Sequence, residues 1–198
     1  MMTDFAKLMN DYFVKYLAGQ KGSGSNTMKT YRDTFVQLLE FMDEKKHIRA
    51  DCIEVDSFSY DIINEFLEYL EKEKGVSIST RNNRLAAIRS FFKYTGYHEP
   101  KYLNISASIR EISKKKTEGR QMNYLSVNAM EHFLNSFDKT DHKELRCFCI
   151  VLLLYESGAR VTELCNVRRY DLHLEKPYTI ILHGKGDKIR SVPLDGLV

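Results

Sequence analysis

The 198-residue chain contains no tryptophan, only three prolines and only ten glycines. Proline and glycine are therefore too scarce for a collagen-like or a proline-rich disordered protein. The apolar run from Ile150 to Tyr155 is far shorter than the roughly 20 residues that a membrane-spanning helix needs. The first residues, Met1 to Phe5, show neither the basic segment nor the apolar segment of a secretion signal. These absences predict a cytoplasmic protein without a membrane partner.

The cysteines are few, and their spacing does not match a metal site. The four cysteines are Cys52, Cys147, Cys149 and Cys165, and no two of them form a C-x-x-C pair. Cys147 and Cys149 lie within an apolar helical pattern, so we expect buried, reduced thiols. The sequence therefore predicts neither a disulfide framework nor a metal site.

Positive charge is concentrated in one part of an otherwise ordinary globular composition. The whole chain has a net charge of +3 at pH 7, but residues 76–120 carry ten basic and three acidic side chains. Such a local excess indicates contact with a polyanion. A solvated helix face followed by a basic linker would give the same composition, so charge alone leaves both interpretations open.

Hydrophobic periodicity predicts that the chain is mainly α-helical and has two domains. Residues 1–97 contain four stretches with apolar residues at helical spacing, which predict one compact four-helix domain. The predicted helices cover residues 4–18, 26–42, 61–74 and 77–94, and Gly96 is expected to close the last of them. Residues 98–123 show little periodicity and include Pro100 and three consecutive lysines, so they are predicted to be a basic linker.

Residues 124–198 are predicted to form the beginning of an α+β domain. Ser126 is expected to cap a helix that ends near Phe137, and residues 143–157 form a helix so apolar that it should be buried. A short helix over 161–167 follows, and residues 178–194 predict a β-hairpin. These elements are few for a closed core, so we expect the chain to be the N-terminal part of a longer protein.

The fourth helix carries a polar stripe suited to a phosphate backbone. Asn82, Ala86, Arg89 and Lys93 lie on one face, and Arg81 and Arg84 flank the first turn. The small side chain of Ala86 permits close approach to a phosphate backbone. The predicted DNA-binding set consists of the other side chains named here and of the linker residues Lys114, Lys115 and Lys116. A surface helix made soluble by arginines is the alternative.

Two further segments contain residues that could take part in a reaction. Arg160 follows the apolar helix, and Glu163 three residues later could hold its guanidinium as a clamp for a phosphate; a purely structural ion pair is the alternative. Lys185 lies between two glycines at the hairpin turn, where it could donate a proton to a leaving oxygen or serve only solubility. The turn is not a P-loop, because G-x-x-x-x-G-K-[ST] is absent.

The order of these segments resembles the tyrosine recombinase (phage integrase) family, with a simple Xer-like organisation. The similar stretches run from Thr27 to Phe41, Thr80 to Tyr94, Tyr124 to Val127, Leu152 to Leu172, and Ile180 to Leu194. The resemblance implies a SAM-like core-binding domain over 1–97, a linker over 98–123, and the first part of the catalytic domain over 124–198.

The resemblance also implies roles for individual residues. Arg160 matches the first catalytic arginine, which binds the scissile phosphate, and Glu163 would support it. Lys185 matches the hairpin lysine that acts as general acid toward the departing 5′-oxygen. The family's nucleophile is a tyrosine that forms a 3′-phosphotyrosyl link to double-stranded DNA, without a metal or other cofactor. The intact parent would work as a homotetramer on DNA, whereas a fragment is expected to be a monomer.

One departure from the family pattern limits what these 198 residues can do. The family requires a His-x-x-Arg motif and a late tyrosine, but none of the six histidines here is followed by arginine three residues later. We therefore expect the chain to bind DNA without cleaving it. A natural non-catalytic DNA-binding regulator and an all-helical protein-interaction module are the alternative interpretations.

Overall fold

The computed structural model describes residues 2–117, 119, 123–184, 186 and 188–194. The chain divides into two compact units, Met1–Arg120 and Gln121–Val198. Within the described ranges, no helix combines the length and apolar character needed to cross a membrane.

The first unit is a helical domain built around a central helix. Its α-helices are α1 (Asp4–Asp11, which continues as a π-helix over Tyr12–Gln20), α2 (Ser25–Lys46), α3 (Tyr60–Lys72), α4 (Ile78–His98) and α5 (Leu103–Glu111). Helix α4 contacts α2, α3 and α5. Its apolar side chains Leu85, Ile88 and Phe92 are fully buried, as the periodicity predicted. The Ser77 hydroxyl accepts a hydrogen bond from the Thr80 amide at 3.2 Å, which caps α4.

The predicted linker over 98–123 is partly helical in the structure. A 3₁₀ turn over Pro100–Tyr102 leads into α5, which packs against α4. Tyr102, Ile109 and Ile112 are buried in the core of the first unit, and Ile105 packs against it. These residues do follow helical spacing, but the polar residues between them obscured it. The described residues of the first unit therefore contain one more α-helix, α5, than the four that the sequence predicted.

Gly96 does not end α4, as the sequence had suggested. The helix continues to His98, and Gly96 lies where α5 crosses most closely. A Cβ atom at Gly96 would lie 2.7 Å from the Cβ of Ser106, closer than packed side chains approach. The missing side chain therefore serves helix packing rather than helix termination.

The described residues of the second unit form three α-helices, a 3₁₀ turn over Arg169–Asp171 and a small sheet. Helices α6 (Val127–Asn135), α7 (His142–Ser157) and α8 (Val161–Cys165) precede strands β1 (Leu172–His173), β2 (Thr179–His183) and β3 (Ile189–Pro193). The sheet is antiparallel in the order β1-β2-β3, with Leu182 opposite Arg190. The Ser126 cap and the hairpin are as predicted, whereas β1 was not foreseen.

The predicted burial of α7 was wrong for the described part of the chain. Ile150 is 41% exposed and Tyr155 51% exposed, while Leu152 and Ser157 are buried. Only α6 and α8 make extensive contacts with this helix in the described residues. The expectation of buried cysteines fails for the same reason, because Cys147 is exposed and Cys149 is half-buried. Cys52 and Cys165 are exposed as well, and all four thiols are free.

Candidate functional site

The turn between α7 and α8 presents Arg160 to solvent. Gly158 ends α7 in the left-handed conformation, with φ +57°, which a residue with a side chain rarely adopts. The next two residues redirect the chain, and Arg160 immediately precedes α8 with extended backbone. Its side chain is 71% exposed. The guanidinium is therefore accessible to a ligand.

Glu163 is a buried carboxylate that holds two arginines. Its side chain is 3% exposed and accepts a hydrogen bond from the Arg160 backbone N–H at 2.9 Å. Nη1 of Arg160 lies 2.7 Å from Oε1, and Nη2 of Arg190 lies 2.8 Å from Oε2. The Arg160 amide and the guanidiniums of Arg190 and Arg160 lower the pKa of Glu163 to about 2. The carboxylate therefore remains ionised at neutral pH and restrains both guanidiniums.

Arg190 was not among the predicted site residues. It lies on β3 opposite Leu182, whose side chain is buried, and residues opposite each other in an antiparallel pair share a face. Arg190 therefore lies on the same face of the hairpin as Leu182, although its own side chain is 40% exposed. The sequence could not show that Glu163 lies there to receive it.

A second buried carboxylate contacts the turn end of the hairpin. Asp171 is buried, and its carboxylate accepts a hydrogen bond from the Arg168 backbone N–H at 2.8 Å. Nε2 of His183, the last residue of β2, lies 3.3 Å from Oδ1 of Asp171. The amide hydrogen bond and His183 lower the pKa of Asp171, although burial opposes them. This contact fixes the strand that leads into the turn; Lys185, the predicted general acid, lies outside the described residues.

Two arginines of the predicted DNA-binding set contact neighbouring helices of the first unit. Arg81 is only 5% exposed, and its Nε lies 3.2 Å from Glu71 Oε1 on α3. Arg84 donates hydrogen bonds to the Thr30 carbonyl at 3.0 Å and to the Thr34 hydroxyl at 3.2 Å. Both side chains therefore join α4 to neighbouring helices, and their contact with DNA stays a prediction.

Asn82 and Arg89 also form hydrogen bonds within the first unit, to the backbone at the end of α5 and after it. Arg89 donates to the carbonyls of Arg110 and Ile112. Asn82 pairs with the backbone of Lys115, and the Lys115 ammonium forms an ion pair with Glu71 at 2.8 Å.

Three predicted DNA-binding residues remain available to a ligand. Lys93, Lys114 and Lys116 are exposed. None of them forms an ion pair with another residue that the structure describes. They are therefore the members of the predicted set whose charge is least compensated by neighbours.

The described residues contain no group of three or more histidine, cysteine, aspartate or glutamate side chains that could hold a metal ion. The groups that Glu163 holds by its side chain are the guanidiniums of Arg160 and Arg190. Arginine is suited to bidentate recognition of phosphate oxygens.

Comparison with known proteins gives the family. Residues 11–96 match the phage integrase N-terminal SAM-like domain, and residues 123–196 match the phage integrase family. The chain belongs to the tyrosine recombinase (phage integrase) family. The two matches follow the chain in the order that the sequence motifs indicated, and they confirm a helical SAM-like domain followed by the start of the catalytic domain.

Relatives of this tyrosine recombinase chain extend beyond the aligned region. This chain is 30% identical over 189 residues to tyrosine recombinase XerD of Listeria innocua. The alignment covers 93% of this chain and 59% of that protein. This chain is also 28% identical over 188 residues to the Sinorhizobium fredii protein y4rC, which is described as an integrase/recombinase. That alignment covers 95% of this chain and 57% of that protein. The chain thus spans somewhat more than half the length of these relatives.

A solved structure with the same fold is the XerH site-specific recombinase bound to its palindromic difH substrate. The TM-score is 0.65 at 23% identity, covering 96% of this chain and 56% of that one. This similarity supports the fold of the chain.

Proposed function

We propose that this chain is the DNA-binding part and the first section of the active site of a site-specific recombinase. The observation that carries the proposal is the Glu163 carboxylate, which holds the exposed Arg160 and the hairpin residue Arg190. Restrained guanidiniums can bind the non-bridging oxygens of a phosphodiester and stabilise charge that develops in the transition state. The XerH site-specific recombinase, whose structure has the same fold, is described as bound to a palindromic difH substrate.

In this proposal each residue has a defined part in strand transfer. Arg160 binds the scissile phosphate, Glu163 positions it, and Lys185 donates a proton to the departing 5′-oxygen. A tyrosine of the whole recombinase attacks phosphorus and forms a 3′-phosphotyrosyl bond while the 5′-hydroxyl leaves. The whole recombinase acts in the cytoplasm as a homotetramer on DNA, whereas this chain alone is a monomer.

The binding half of the proposal is tested with a fluorescein-labelled DNA duplex of mixed sequence. We expect an increase in anisotropy and a steep loss of affinity, by about 10³-fold, between about 50 and 200 mM salt if the chain makes six or more phosphate contacts. A helical protein-interaction module would show no binding at low salt, and that result would refute the proposal.

The chemical half is tested with a nicked duplex that traps covalent intermediates. The 198-residue chain lacks the His-x-x-Arg motif, so we expect DNA binding without a covalent adduct. The same chain extended by the downstream codons of its gene is expected to form the adduct. Arg160→Ala in the extended protein should abolish the adduct and leave DNA binding nearly intact; retained cleavage would contradict the role given to Arg160.

A further inference from the structure

The end of α5 and the backbone that follows it are fastened to α4 by three side chains. The Arg89 guanidinium donates to the carbonyls of Arg110 and Ile112. Nη1 of Arg81 donates to the Ser113 carbonyl at 3.0 Å. Asn82 binds the backbone at Lys115. A segment that has no regular secondary structure is therefore held over several consecutive residues.

Asn82 makes the most specific of these contacts. Its Nδ2 donates to the Lys115 carbonyl at 2.8 Å, and its Oδ1 accepts from the Lys115 N–H at 3.1 Å. A side-chain amide offers a donor and an acceptor side by side, whereas an ionised carboxylate only accepts and a guanidinium only donates. The pair satisfies both backbone groups of one residue, much as a neighbouring strand would.

Glu71 adds an electrostatic contact at the same place. Its carboxylate lies 3.2 Å from Nε of Arg81 and 2.8 Å from Nζ of Lys115. The charges of Arg81 and Lys115 are therefore partly compensated within the first unit. Lys114 and Lys116, which flank Lys115, are exposed and form no ion pair with any described residue.

We propose that Asn82, with Arg81 and Arg89, positions residues 112–116 so that Lys114 and Lys116 are presented to the phosphates of DNA. This inference rests on the proposed DNA binding and reassigns three predicted contact residues to positioning. A restrained backbone lowers the conformational entropy that two lysines lose when they bind, which increases affinity without any additional contact.

Limited proteolysis tests the clamp itself without DNA. Trypsin cleaves after lysine and requires locally unfolded backbone, so release of the segment should expose Lys114 and Lys116. We expect Asn82→Ala to increase cleavage at these two lysines by about tenfold, since two hydrogen bonds are lost. The matched control is Asn83→Ala, because Asn83 is the exposed neighbour on the same helix and forms no side-chain hydrogen bond to a described residue. Equal cleavage in the two variants would overturn the clamp.

Asn82→Asp provides a second variant of nearly the same shape. It retains the acceptor for the Lys115 N–H but removes the donor to the Lys115 carbonyl, so cleavage should again increase. This variant decides the question if Asn82→Ala fails to fold, as judged by circular dichroism.

DNA binding tests the presentation of the lysines. We expect Lys114→Glu with Lys116→Glu to reduce the slope of log affinity against log salt by about two. Asn82→Ala should weaken affinity several-fold, and Asn83→Ala should not. Increased proteolysis with unchanged DNA affinity in Asn82→Ala would overturn the presentation, whereas absence of DNA binding by the unmodified chain would refute the proposed function and leave the clamp intact.

Discussion

At the scale of single residues, the candidate site depends on how one buried carboxylate is compensated. An isolated buried carboxylate is costly, but Glu163 receives a backbone N–H and two guanidiniums. Its position three residues after Arg160 places it in the first turn of α8, where it can turn back to the Arg160 amide. The same side chain thus helps to begin the helix and orients the arginine that we expect to bind phosphate.

The depressed pKa of Glu163 predicts how stability depends on pH. A group whose folded pKa lies below its ordinary value near 4.5 stabilises the fold above that value, and the contribution is lost as pH falls through about 2. We expect the stability difference between the unmodified chain and Glu163→Gln to be constant from pH 7 to about 5 and to shrink below pH 4.5. Urea unfolding across this pH range measures it.

The control for this prediction is Glu175→Gln, because Glu175 is exposed and has no partner among the described residues. Its substitution should change stability little at any pH in the range. A difference between the unmodified chain and Glu163→Gln that grows as pH falls would contradict the proposed role of the ionised carboxylate.

At the scale of elements, the close crossing of α4 and α5 explains why a glycine lies within a long helix. Glycine costs about 1 kcal/mol relative to alanine inside a helix. At Gly96, however, an added Cβ would meet the Cβ of Ser106 at 2.7 Å and its Oγ at 2.8 Å. Both of these atoms belong to a short, buried side chain, so the helix α5 itself would have to shift.

Gly96→Ala should therefore destabilise the first unit by about 1–3 kcal/mol, as overpacking usually does, despite the better helix propensity of alanine. The free energy of unfolding in urea measures the effect. Ser106→Gly removes the opposing atoms, so the double variant should recover part of the loss. A Gly96→Ala variant more stable than the unmodified chain would show that the close packing does not constrain this position.

At the scale of the whole molecule, the two units differ in how much apolar surface their described residues bury. The first unit contains nearly all of the buried apolar side chains, including a cluster of interacting aromatic rings such as Phe5, Tyr12 and Phe91. In the described part of the second unit, the buried apolar side chains are Leu152, Ile180 and Leu182. Burial of apolar surface is the main stabilising contribution to folding.

We therefore expect the amides of the first unit to exchange with deuterium more slowly than those of the second. The clearest comparison is between α4 and α7, two long helices with very different burial. Hydrogen exchange followed by mass spectrometry measures both in one sample. Equal protection of α4 and α7 would contradict the inference that the second unit is the less stable of the two.

Sequence patterns predicted most of the local elements, the order of the motifs and the family, but not α5 or β1. Helical spacing, the Ser77 and Ser126 caps and the hairpin pattern all act over a few residues, so they can be recognised without tertiary information. The resemblance of the stretch around Arg160 to the tyrosine recombinase family could be recognised for the same reason.

Which polar side chains pack against the protein became evident from the arrangement of the elements. Asn82 and Arg89 belong to the predicted DNA-binding stripe and Arg81 flanks it, but helical periodicity gives the face of a helix and not what lies against it. The backbone after α5 covers that face, and Arg190 reaches Glu163 across 27 residues of sequence. Such long-range contacts depend on how elements pack, and packing is determined by the burial of the whole domain rather than by any local pattern.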